Sequence, residues 1–194
     1  MRKPLLLFVI AALGGYNVLV GQQKPADSLM NALRSHKKND TAKVNLMNAL
    51  AQESRRAHPN LTDSLVKISL ELSDQLNYKK GKGKALAIQA NRYYDLSNFR
   101  KADTTFEEAK QLLKSANDTS ALTYLYRSQA NLLMDEGDYS RSLDGFLQGL
   151  KLAELTGDVK QVVDINRTIG YLYNVIGDFE KAIPYQTPAL KQPQ

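Results

Sequence analysis

The chain repeats itself at an interval of 40 residues, and this limits what it can fold into more than any other feature. Phe99, Tyr139 and Phe179 stand 40 apart, and so do Ala102, Ser142 and Ala182. Upstream, Ala90, Ala130 and Gly170 keep the interval, followed three residues later by Tyr93, Leu133 and Tyr173. Downstream, Phe106 matches Phe146, and Ala109, Gly149 and Ala189 fall together. A unit of this size cannot bury a hydrophobic face alone, so successive copies must stack on one another. With 6 Pro and 11 Gly in 194 residues, and 43% apolar side chains, the composition favours helices over disorder.

The chemistry inside one unit is local. Each aromatic follows Asn98, Asp138 or Asp178, whose side-chain oxygen can cap the free amides of a helix starting there. Gly137 and Gly177 relieve the backbone where the preceding helix ends. Small residues such as Ala90, Ala102, Ala130 and Ser142 let two antiparallel helices approach closely. Between units, Asn117-Asp118-Thr119 and Gly157-Asp158 supply the stop and the next cap. Helix pairs are therefore expected at 43–79, 82–116, 120–156 and 160–191. Tyr93, Phe99, Phe106, Tyr139, Phe146, Tyr173 and Phe179 are expected in the core. The first pair is degenerate, with Ala51 and Ser64 at the small positions and Pro59 at the turn. A short helix near 27–36, with Leu29, Ala32 and Leu33 on one face, is expected to cover its outer side. Pro184 and Pro188 crowd the last helix, so the array is expected to stop within its fourth unit, leaving Ile176, Ile183 and Leu190 where a further unit would stack.

The run Ile169-Gly170-Tyr171-Leu172-Tyr173, followed by Gly177-Asp178-Phe179 and Ala182, resembles the tetratricopeptide repeat in a long-period form. That resemblance implies an all-α fold: a right-handed superhelix, or solenoid, of antiparallel helix pairs over 42–194. In the family, the first helix of each pair lines the inner curve, where partners lie. Carried over by position, the inner face would present Lys84, Ala87, Asn91 and Tyr94 from one unit. The next unit would present Tyr124, Arg127, Asn131 and Met134, and the last Asp164, Arg167, Tyr171 and Asn174. Arginines beside amides and tyrosines suit a carboxylate and a peptide backbone. A protein or peptide partner is therefore expected, and an enzymatic activity is not.

Segment 1–21 reads as an export signal: Arg2 and Lys3, an apolar run from Leu5 to Leu13, then Gly21 before polar residues. Segment 22–41 holds the short helix and a linker. An exported protein of the bacterial periplasm or cell envelope is expected, with no membrane span in the mature chain unless the leader is retained as an anchor. The arrangement is also similar to the N-terminal regions of bacterial transducers whose output module is a histidine kinase or a helix-turn-helix regulator; such an output would lie outside this chain. The absence of Cys excludes disulfides and thiolate metal sites. The net charge of +6 is interspersed with acids, which argues against nucleic acid. His36 and His58 lack partners at metal-ligand spacing and are expected to face solvent, so neither metal nor cofactor is expected. Lys80-Gly81-Lys82-Gly83-Lys84 lacks the spacing of a phosphate loop and is read as a hinge between units.

Overall fold

A computed structural model describes residues 25–186, and within them every regular element is a helix. Their order is α1 (Pro25–Ser35), α2 (Thr41–Ser54), α3 (Pro59–Gln75), α4 (Lys79–Asp95), α5 (Phe99–Ser115), α6 (Thr119–Asp135), α7 (Tyr139–Thr156), α8 (Val159–Ile176) and α9 (Phe179–Gln186). The export segment, Pro188 and Leu190 lie outside the described residues.

The sequence repeats at 40, but the backbone repeats at 20. Residues 77, 97, 117, 137, 157 and 177 all have positive φ. At each, the next amide donates to the carbonyl five residues back, for example Asn98 N to Tyr93 O at 2.8 Å and Asp178 N to Tyr173 O at 2.9 Å. This is the Schellman closure, in which one left-handed residue satisfies the last carbonyls of a helix. The following residue then caps the next helix: Asn98, Asp118, Asp138, Asp158 and Asp178 each accept the amide three positions on. Helix end, reversal and helix start are thus packed into two or three residues, which folds each helix back along its predecessor.

Close approach within a pair needs small residues at the crossing. Ala90, Ala102, Ala130 and Ser142 are buried, and the Ser142 hydroxyl donates to the Ala130 carbonyl at 2.8 Å. In the first pair the same bond runs from Thr62 to the Ala51 carbonyl at 3.1 Å. The small position on α3 is therefore buried Thr62, in register with Ala102 and Ser142, and not Ser64, which is exposed.

The core forms three clusters, around Leu50 and Val66, around Phe106 and Leu113, and around Phe146 and Ile169. Phe106 and Phe146 are fully buried, while Tyr93 and Tyr173 pack partly buried against the clusters. Phe99, Tyr139 and Phe179 are exposed, contrary to expectation. They occupy the first residue of their helices, level with the turn. Helix α1 lays Ala26, Leu29, Met30 and Leu33 against the first cluster, so Leu29 and Leu33 pack as expected while Ala26 and Met30 stand in for Ala32.

Candidate functional site

Across pairs, α2 packs on α4, α4 on α6 and α6 on α8, which places the first helices side by side on one face. Two adjoining clefts open there. One, of about 510 Å³, lies between α2, α4 and α6 and is walled by Asn45, Gln52, Tyr78, Lys80, Lys84 and Tyr124. The other, of about 360 Å³, is walled by Arg55, Arg56, Asn91, Tyr124, Arg127 and Asn131. Tyr124 belongs to both and joins them.

The lysine-glycine run is not a hinge. It forms the first turns of α4, where Gly81 and Gly83 are buried. A Cβ at Gly81 would overlap the Tyr78 ring and the Val44 side chain, and one at Gly83 would sit 2.8 Å from Leu113. The glycines are there because neighbouring side chains occupy the space that side chains of their own would need. The Asn48 amide donates to the Gly81 carbonyl at 2.9 Å and accepts from the Ser69 hydroxyl at 2.6 Å, which ties α2, α3 and α4 together.

Cations at a helix N-terminus oppose the helix dipole, so these lysines need acids from elsewhere. Lys82 meets Asp74 at 2.7 Å. Lys80 and Lys84 converge on the inner oxygen of Asp118 at 3.2 and 3.3 Å. Burial alone would push the Asp118 carboxyl up, but the Ala121 amide and the two ammonium groups outweigh it and hold it below its ordinary range. One buried carboxylate against two partly exposed ammonium groups leaves the cleft wall cationic.

The second cleft carries three guanidinium groups. Arg55 is held by Asp95, with contacts of 2.6 and 2.7 Å. Arg127 lies 5.8 Å over the Tyr124 ring and 3.8 Å from Asp164. Arg56 has no acidic partner among the described residues. Burial raises the Tyr124 hydroxyl pKa, against the pull of Arg55 and Arg127 and of hydrogen bonds with Ser128 and Gln52. The Asn91 amide is buried, donating to Ala87 O at 2.8 Å and accepting from Ser128 at 2.8 Å.

Of the residues expected on the inner face, Lys84, Ala87, Asn91, Tyr124, Arg127 and Asn131 come together around these clefts. Asp164 reaches them through Arg127 and also lies 3.6 Å from Arg167. Tyr171 and Asn174 are exposed on α8 and line neither cleft. Tyr94 is directed elsewhere: its ring meets the edge of Phe99 at 5.2 Å and its hydroxyl donates to Leu132 O at 3.1 Å. Met134 packs against the Phe146 cluster. Sequence reasoning missed Asn45, Gln52, Arg55 and Arg56 of the first pair and the wall formed by Tyr78 and Lys80. The available signal was the lysine run itself, which a helix start tolerates only beside acids. His36, expected in solvent, is half-buried with its ring nitrogen 2.8 Å from Asp40, the cap of α2; His58 is exposed. Among the described residues no group of three metal-ligating side chains occurs, and no helix is long and apolar enough to cross a membrane.

No protein-family model matches the chain, and no curated protein matches it in sequence. Among solved structures it is similar to BtubC (BKLC) from P. vanneervenii, with a TM-score of 0.64 over 95% of this chain and 81% of that one, at 15% identity. At that identity the likeness is one of fold alone.

Proposed function

We propose that the chain is a non-enzymatic scaffold of the cell envelope, its helix pairs stacked in a right-handed superhelix of the tetratricopeptide type. Its inner face then holds an extended protein or peptide segment that carries an acidic group. Six turns of one geometry support the regular stacking, since equal turns give each pair the same step relative to the last. The observation that carries the binding role is the pair of clefts joined at Tyr124, lined from α2, α4, α6 and the turns after α2 and α3 by amides, tyrosines and five cationic side chains against one acid, Asp135. Amides and phenols suit a peptide backbone, while lysine and arginine heads suit carboxylates.

A peptide array probed with the full chain tests this. Retained peptides should share an acidic residue. Lys84→Ala and Arg127→Ala should each weaken them by about tenfold, the cost of one charge-assisted hydrogen bond. Lys151→Ala, on the exposed side of α7, should change nothing. Retained peptides without acids, or equal binding to all three variants, would overturn the proposal.

A further inference from the structure

Six turns are alike, and the connections on either side of α2 are not. The α2–α3 connection at residues 55–58 has no left-handed residue and enters α3 through His58 and Pro59. Beside it lies a cleft of about 760 Å³, lined by α1 and by that connection and sharing no residue with the two clefts of the inner face. One wall is the face of α1 that bears Asp27, Met30 and Arg34, at the i, i+3, i+7 spacing that aligns side chains along a helix. The opposite wall is Leu50 and Ser54 of α2 with His58 and Leu61 around the start of α3.

Three features of this cleft lack an internal explanation. Ser54 is buried, yet its hydroxyl has no hydrogen-bond partner, which is costly for a buried polar group unless something else supplies one. Asp27 has no cationic partner, and Arg34 has no acidic partner, among the described residues. The two charges are opposite and stand at the two ends of one wall. Seven residues of helix separate them, a rise of about 10 Å. The two charged groups of a single amino acid are too close together to reach both. An extended chain of three residues spans about 10 Å.

We propose that this cleft binds a free peptide of three or four residues. Its ammonium group meets Asp27 and its carboxylate meets Arg34. An apolar central side chain lies on Met30, Leu50 and Leu61, and the Ser54 hydroxyl bonds the peptide backbone. The site is independent of the inner face and of the role proposed for it.

Calorimetric titration of the full chain with Ala-Leu-Ala tests the assignment. Saturable binding is expected, weakened about tenfold by N-acetylation and again by C-amidation, each of which removes one charge-assisted contact. Asp27→Asn should weaken the free peptide by a similar factor yet leave the acetylated peptide unchanged. Arg34→Gln should do the same for the free and amidated forms. Both positions are exposed, so circular dichroism of the variants should match the parent. Lys84→Ala should bind Ala-Leu-Ala as the parent does. Absence of binding at millimolar peptide would overturn the proposal. So would equal affinity for the free, acetylated and amidated forms, or loss in the Lys84 variant.

Discussion

Arg127 and Arg167 occupy the same position in successive units, and their surroundings differ. Arg127 is 26% exposed, lies over Tyr124 and reaches Asp164. Arg167 is 80% exposed, and its one acidic contact is with Asp164 on its own helix. The next inner position behaves alike. Asn91 is 2% exposed and holds two hydrogen bonds, whereas Tyr171, two units on, is 58% exposed. Helices α4 and α6 are flanked on both sides by other first helices, while among the described elements α8 has only α6. A repeat position is thus a placement, and it becomes a site only where neighbours on both sides fix its side chain. Among the described residues, the face shared by the first helices is organised from α2 to α6, and Arg167, Tyr171 and Asn174 of α8 on it are exposed.

The largest test of this contrast lies in the aromatics. Phe146→Ala should lower stability by about 3–5 kcal/mol, the usual cost of emptying a buried aromatic site. Phe179→Ala should cost no more than about 0.5 kcal/mol, as at other exposed positions, because that ring is 67% exposed. Equal shifts in chemical denaturation would mean the end of the array is as well packed as its middle.

Asp118 comes next. Asp118→Ala removes a helix cap and the partner of Lys80 and Lys84, and should cost about 2 kcal/mol, half from the cap and half from partly screened ion pairs. Asp118→Asn keeps a capping oxygen and should lose only the ionic half. The folded carboxyl titrates below its ordinary 3.8, so its stabilisation is complete above that value and is lost as the pH falls through the lower, folded pKa. Urea unfolding of parent and Asp118→Asn should therefore differ at neutral pH and converge in acid. A gap that persisted in acid would locate the effect in packing.

The turns offer a smaller contrast. Ser97 holds φ 57° where Gly137 holds 82°. A left-handed residue with a Cβ carries a penalty that glycine avoids. Ser97→Gly should raise stability by about 0.5–1 kcal/mol and Gly137→Ala should lower it by about 1 kcal/mol. A loss at Ser97→Gly, or a gain at Gly137→Ala, would show that the two turns differ in more than their residue. The smallest effect is expected at Arg167→Ala, within about 0.5 kcal/mol of the parent. Arg127→Ala should exceed it, since it leaves the Tyr124 face and one side of Asp164 without a partner.

Much of this was legible in the residues, and what was not has physical causes. Helix pairs and caps followed from the 40-residue interval, because small residues and Asp or Asn each answer a local requirement of close approach or an unpaired amide. The 20-residue beat of the turns escaped, because Asn77, Ser97, Asn117 and the three glycines are chemically unlike and share only a backbone angle. Gly81 and Gly83 read as a break because glycine marks both chain flexibility and crowding, and only the positions of Tyr78 and Leu113 separate the two. The site was half visible. Tyr124 and Arg127 emerged by register, but Gln52 and Arg55 did not, because the α2–α3 connection is one residue longer than its counterparts at 96–98 and 136–138 and α2 falls out of phase.

The central claim is that a partner lies on the face shared by α2, α4 and α6. It is tested most directly with an acidic peptide taken from the array, tagged with a nitroxide and added to the full chain with its methyl groups labelled for NMR. The Ala87 and Ala121 methyls, which line the inner cleft, should broaden. The methyls of Leu155, exposed at the end of α7, should stay sharp. Broadening at Leu155 with Ala87 and Ala121 untouched would contradict the account and move the binding surface to the outer helices.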